Sequence, residues 1–245
     1  MSDKSFNFNK ELLHRFVNTA QPYFFPLEGS KSGWKLLIML LLSIVFVISV
    51  SHFSIIAIGF LIEILYPTFL LEVAPNFKVF VDNLSSGYLP VLSLALILLF
   101  LFFLIINKEH LKPRKFPWIL LIVILFLLFC VTGLNVGLSY IFRFLDTSLN
   151  LRNDKAFWEF LWVYGWIVLI ALPIVASYRF TRLKLARYWR EWLTNNFLER
   201  YFHNRAFYLL DSNTEDSDID NPDQRISEDI RNFTTVTLDF LIDTL

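Results

Sequence analysis

Four long stretches of this chain contain no Asp, Glu, Lys or Arg: Leu36 to Ile62, Tyr88 to Ile106, Phe116 to Phe142 and Phe160 to Tyr178. A hydrocarbon core takes about 20 helical residues to cross. Within it every backbone N–H and C=O has to find a partner inside the protein, which a helix achieves by itself. Four transmembrane helices in an all-α integral membrane protein are the direct expectation. The composition agrees, with 56% hydrophobic residues, 18% charged residues and 27 Phe among 245 positions. A water-soluble domain of this size carries a more charged surface. The segment ahead of Leu36 is far longer than the charged region of a signal peptide, so the first stretch is expected to stay in the mature protein.

Orientation follows from the basic residues. Met1 to Lys35 carries five, Asn107 to Lys115 four and Arg179 to Arg205 seven, whereas the opposite side has only Lys78, Arg143, Arg152 and Lys155. The positive-inside rule therefore places the N-terminus and everything after Tyr178 in the cytoplasm. The balanced net charge argues against nucleic acid as a partner. Cys130 is the single cysteine and lies in an apolar run, which excludes an internal disulfide and reads as a packing residue.

Helical periodicity continues past Tyr178 through Leu185, Trp189, Trp192, Leu193, Phe197 and Tyr201, with no Pro or Gly to stop it. The fourth helix is expected to project into the cytosol. Alone it would leave Trp189, Trp192 and Phe197 wet, so other projecting helices should pack on it. The sign of charge then reverses, with eight acids against Arg225 and Arg231 between Asp211 and Arg231. Within that segment Asn221 reads as an N-cap, Pro222 as the first helical residue and Gln224 as the third position of a capping box. The result is a short helix with Ile226, Ile230 and Phe233 on one face. Phe233 to Leu245 then resumes an apolar-rich pattern, the start of a fifth membrane helix.

Three elements together carry a family resemblance: Arg187-Tyr188-Trp189-Arg190-Glu191-Trp192-Leu193, Tyr201 to Tyr208, and Asp220 to Ile230 with its Asn-Pro-Asp-Gln-Arg-Ile core. They resemble the first half of an ABC transporter membrane domain of type-1 exporter fold, in the SbmA/BacA-like bacterial family related to the peroxisomal fatty-acyl half-transporters. The resemblance covers about Phe116 to Leu245. It implies that Asn221, Pro222, Asp223, Gln224, Arg225, Ile226, Glu228 and Asp229 form the intracellular loop that touches an ATPase domain. It also implies a homodimer in the bacterial inner membrane once the remaining helices are supplied. Family members handle peptides, cobalamin and acyl-CoA, a breadth that selects no cargo.

The resemblance divides the chain into a cytoplasmic segment 1–35, two extra membrane helices in 36–106, and a partial transporter domain in 107–245. The last comprises core helices 116–145 and 157–210, the coupling loop 211–231 and the start of a helix at 232–245. No Walker A loop is present: Gly29-Ser30-Lys31-Ser32-Gly33-Trp34-Lys35 has the wrong spacing and no preceding strand. No cofactor is therefore expected in this chain, and ATP and Mg belong on a nucleotide-binding domain elsewhere. The expected function is the membrane portion of a truncated or split ATP-driven transporter. The alternative is a non-catalytic scaffold without an ATPase partner.

The remaining polar features each have two readings. His14, His52, His110 and His203 are too scattered for a metal site. His52 alone lies within a span, as part of a translocation pathway or, more commonly, as a neutral hydrogen-bonded packing residue. Gly133, Asn135 and Gly137 form a G-x-x-x-G pattern that permits close helix approach, with Asn135 able to bond across the contact. Pro173 removes one helical hydrogen bond, giving either a functional hinge or a static kink. Arg179 and Arg182 read as headgroup anchors in preference to contacts with an acidic partner.

Overall fold

The structure, a computed structural model, describes residues 19–24, 32–65, 75–203 and 224–243, all but short turns of them helical. Its elements in chain order are α1 (Ser32–Leu65), α2 (Pro75–Ser85), α3 (Leu89–Ile106), α4 (Lys108–Leu111), a 3-10 turn (Lys112–Arg114), α5 (Lys115–Asn150), α6 (Asp154–Phe202), a π turn (Arg225–Asp229) and α7 (Ile230–Asp243). Helices α1, α3, α5 and α6 contain the four charge-free stretches, and each is long and apolar enough to cross a membrane. Asn221, Pro222 and Asp223 lie outside the described residues. The chain forms two compact units, 1–129 and 130–245.

In the first unit α2 and α3 both run antiparallel to α1. Lys78 Nζ sits 2.5 Å from Glu63 Oε1, the Leu84 carbonyl accepts from His52 Nε2 at 2.9 Å, and Phe100 stacks on Phe46 with ring centroids 4.6 Å apart. Val81 faces Gly59 between the first two of these contacts. A Cβ on Gly59 would stand only 2.7 and 2.8 Å from the two Val81 methyls, so the absence of a side chain is what lets α2 approach. No apolar run announces α2, which carries Lys78, Asp82 and Asn83. It is held instead by these three contacts to α1. Gly87, with φ +70°, makes the break between α2 and α3, and Pro90 opens α3 in its first turn.

Several polar groups inside α1 are satisfied locally or by the neighbouring helices, while the buried Ser51 hydroxyl has no hydrogen-bond partner among the described residues. Ser43, Ser49 and Ser54 return their hydroxyls to the carbonyls four residues back. His52 has both ring nitrogens engaged, because Ser93 Oγ lies 2.8 Å from Nδ1. The Leu84 carbonyl can only accept, so Nε2 carries the hydrogen of that bond. Of the two readings of His52, the structure displays the hydrogen-bonded packing residue.

Residues 19–24 form a helical turn docked on the start of α5. Trp118 Nε1 donates to the Phe24 carbonyl at 2.9 Å, the Phe24 ring meets Trp118 edge-on at 5.9 Å, and the Arg114 guanidinium stands 6.0 Å over the Tyr23 ring. Tyr23, Phe24 and Trp118 are all buried by this contact.

In the second unit α5 and α6 are joined by a three-residue turn. Asn153 N–H donates to the Ser148 carbonyl and Arg152 N–H to the Leu149 carbonyl, closing α5 in a Schellman arrangement. Arg152 takes the left-handed position there, φ 51°, which glycine usually occupies. Asn153 at once caps α6 by accepting from Ala156 N–H. Above the turn the helices meet through rings, with Phe144 stacked on Phe160 at 5.1 Å and Phe142 edge-on to Tyr164 at 5.2 Å. The helix α6 continues through Pro173 for 49 residues, about 73 Å at ~1.5 Å per residue.

Candidate coupling site

The part of α6 beyond Tyr178 is not left wet. Thr181, Leu185, Leu193 and the fully buried Trp189 recur every fourth residue on one stripe. Facing them on α7 are Ile230, Thr234, Thr237, Leu238 and Ile242, also buried. Two contacts set the register: Arg182 pairs with Asp239, and Trp189 meets Phe233 edge-on at 5.7 Å. Ascending numbers on α6 match descending numbers on α7, so the two form an antiparallel hairpin. A helix of Ala and Leu propensity alone would gain little from this pairing; a buried Trp in such a seam contributes about 3–5 kcal/mol by the measure of its truncation.

The Arg182 clasp departs from the headgroup role expected for that residue. Its Nε and Nη2 both donate to Asp239 Oδ1, at 3.1 and 2.5 Å, and Nη1 lies 3.4 Å from the Tyr178 hydroxyl. An acid on an otherwise apolar-patterned helix, Asp239, was the signal in the sequence that such a partner existed. Local periodicity does not reveal the pairing, because the two positions are 57 residues apart.

The expected short helix and the helix after it are one run. Gln224 leads directly into the π turn Arg225–Asp229, whose end at Ile230 keeps helical dihedrals and passes into α7. One extra residue in the turn shifts the helical phase before α7 begins. That shift separates the exposed Ser227, Glu228 and Asp229 from the buried stripe that starts at Ile230. Gln224 Nε2 donates forward to Glu228 Oε2 at 3.1 Å. Ile226 is half-buried. The antiparallel register places Ile230 near Leu193, about 22 Å beyond Tyr178 at ~1.5 Å per residue, and the π turn farther out still. The hairpin therefore carries Gln224, Ile226, Glu228 and Asp229 at its distal end, with the acids open to solvent.

The G-x-x-x-G positions lie elsewhere, on the membrane stretch of α5. A Cβ built on Gly133 or Gly137 meets nothing within 4 Å, and Asn135 is exposed. Among the described residues these glycines approach no neighbour.

Comparison with known proteins agrees with this architecture. Residues 111–245 match the family described as ABC transporter transmembrane region 2. The chain belongs to this family. As an ABC transporter transmembrane region it is an integral membrane protein, related to the fatty-acyl half-transporters that the sequence motifs resemble. It is 43% identical over 242 residues to an uncharacterized ABC transporter ATP-binding protein of Synechocystis, a match covering 99% of this chain and 36% of that protein. It is 33% identical over 109 residues to the chloroplastic ABC transporter D family member 2 of Arabidopsis thaliana, covering 44% of this chain and 15% of that one. It is 32% identical over 120 residues to the inner membrane ABC transporter ATP-binding protein YddA of Escherichia coli, covering 49% and 21%. The chain thus spans about a third or less of the length of these relatives. The Synechocystis match includes the helices ahead of residue 111, so α1 to α3 are shared with that protein. No solved structure matches the chain.

Proposed function

We propose that this chain is the membrane portion of an ATP-driven transporter and that residues 221–229 receive the motion of a nucleotide-binding domain. The observation that carries the reading is the α6–α7 hairpin. Two helices locked by the Arg182–Asp239 pair and the Trp189 seam move as one lever. A push on the π turn at its tip is delivered to the membrane stretch of α6, not dissipated in a loose loop. Exposed Glu228 and Asp229 supply the polar surface that a basic groove on an ATPase would hold. The ATPase, with its ATP and Mg, and further membrane helices are assigned to residues outside these 245, whether in the same polypeptide or a separate one. Two such units would assemble as a homodimer.

The same reading places the N-terminus in the cytoplasm on its basic flanks and the protein in a bacterial inner membrane, the location named for the Escherichia coli relative. Close approach at Gly133 and Gly137, with Asn135 bonding across it, is assigned to a helix of the completed assembly.

The test reverses charge at Asp223 and Arg225 in membranes that contain the ATPase. Wild-type protein should show an ATP-dependent change in protease protection of the 204–223 segment, and Asp223→Arg with Arg225→Asp should abolish it while ATP is still hydrolysed. An unchanged response would overturn the coupling role.

A further inference from the structure

The link between α3 and α5 carries a row of lysines without acidic partners among the described residues. Lys108, Lys112 and Lys115 recur at intervals of four and three residues through α4, the 3-10 turn and the start of α5. A 3-10 turn eclipses side chains three apart, so Lys112 and Lys115 align, with Lys108 within a quarter turn of them. All three are exposed, and among the described residues none has a hydrogen bond or an ion pair. Glu109, also exposed, is the one acid of the link.

The link is held at both ends. The buried Asn107 closes α3, its backbone N–H and its side-chain amide both donating to the Phe103 carbonyl at 3.1 and 3.0 Å. Its own carbonyl starts α4 by accepting from the N–H groups of His110 and Leu111. At the other end Trp118 is bonded to Phe24 and Arg114 stands over Tyr23. The flanking helices fix the depth. The charge-free run of α3 stops at Ile106 and that of α5 begins at Phe116, and Ile105, Ile106 and Phe116 are all exposed apolar side chains. The register of α1 on α3, set by His52 with Ser93 and Phe46 with Phe100, puts Lys35 about one turn past the end of α3, beside the exposed indole of Trp34. Trp with Lys at the end of apolar helices marks the membrane–water interface.

We propose that this link is a docking site for anionic phospholipid, whose phosphate groups are held by Lys108, Lys112 and Lys115. Phosphate is the anion of the headgroup layer, and lysines reach it by laying their methylene stems along the apolar rim. A soluble phosphate would meet the same ammonium groups, but only a lipid is confined to this depth. Membrane orientation asks merely for cations somewhere in a connection. An aligned row on an ordered bend, with no carboxylate bonded to it, is a further property. The proposal needs neither nucleotide coupling nor a particular side of the membrane, so it stands or falls apart from the function proposed above.

The test uses the full chain with Cys130→Ala as background, Cys130 being its only cysteine. A fluorophore is attached to a cysteine at Ile106, beside the lysines, or at Tyr88, the exposed opposite end of α3. Each protein is reconstituted in phosphatidylcholine bilayers with a small, equal fraction of nitroxide lipid, either phosphatidylglycerol or phosphatidylcholine labelled at the same acyl carbon. Only the headgroup then differs. The ratio of quenching by the anionic over the zwitterionic lipid should be about fivefold higher at Ile106 than at Tyr88. It should fall at least about threefold when Lys108, Lys112 and Lys115 are all changed to Gln, and persist when all three are changed to Arg.

Equal ratios at Ile106 and Tyr88 would overturn the proposal, showing the lysines to be solvated or covered by an acidic protein surface. So would a ratio abolished by inorganic phosphate at an ionic strength where chloride leaves it intact, the mark of a free-anion site. An unchanged ratio in the Gln variant would also overturn it, assigning the enrichment to other cations. Should the triple Gln variant fail to reconstitute, Lys112→Gln and Lys115→Gln singly take its place, each expected to lower the ratio about twofold.

Discussion

Arg182 and Asp239 are joined by two hydrogen bonds to a single carboxylate oxygen, across 57 residues of sequence and between antiparallel helices. Both side chains are partly exposed, so the pair is screened, and a double-mutant cycle with Arg182→Ala and Asp239→Ala should give a coupling of about 0.5–1 kcal/mol that shrinks in high salt. Exchange of the two residues, Arg182→Asp with Asp239→Arg, should recover more than half of it. Thermal unfolding of the purified protein in detergent measures each. No coupling would mean that the apolar seam alone sets the hairpin.

Replacing His52 by Ala removes a side chain that joins α1 to both α2 and α3 by hydrogen bonds, leaving the Leu84 carbonyl and the Ser93 hydroxyl to find new partners. A loss of about 1–3 kcal/mol is expected, the usual cost of a buried polar group left unsatisfied. Hydrogen exchange should quicken in Pro75–Ser85 well before it does in α3, which keeps its Phe46–Phe100 stack. Unaltered exchange in α2 would show that the imidazole is not what holds it.

Gly59→Ala should push α2 away, because the new methyl would meet the branched Val81 side chain at 2.7 to 2.8 Å. The expected destabilisation is about 1–3 kcal/mol, as for other overpacked contacts. Val81→Ala in the same chain should rescue most of it, although alone it removes a buried side chain and costs stability itself. Melting temperatures of the four proteins decide the point, and additive losses would contradict the contact.

The hydrogen bond from Lys78 to Glu63 holds the Lys78 ammonium above its ordinary pKa of 10.5. A raised folded-state pKa contributes stability that is complete below the unfolded value and is lost only as pH climbs through the folded one. Attachment of α2 to α1 should therefore be level from pH 6 to 9 and weaken only in strongly alkaline buffer. Amide exchange in α2 at matched intrinsic rates checks this, and a drop near neutrality would point to another group.

The membrane helices were legible because hydrocarbon is an unforgiving solvent: a run such as Phe116 to Phe142 has few alternatives to a spanning helix. The need for a companion along Trp189 was legible for the same kind of reason, since an indole repeated at helical spacing has to be covered. What covers it was not, because Asp239 and Phe233 are remote in sequence and local periodicity says nothing about register. The helix α2 escaped for the opposite reason. Its Lys78, Asp82 and Asn83 make it look like a loop, and it is ordered by its own Val81 seated on Gly59 of α1 and by the His52 ring of α1. At the candidate coupling site the residue types were visible, but the continuity of Gln224 into α7 depends on a π turn, which leaves no compositional mark.

The bond from Trp118 to the Phe24 carbonyl joins points 94 residues apart. Everything between them sets out from and returns to one place, like a side loop hung on a closed ring. The helices α1 to α4 hang from that closure as a cassette, with Phe24 and Trp118 acting as the fastening.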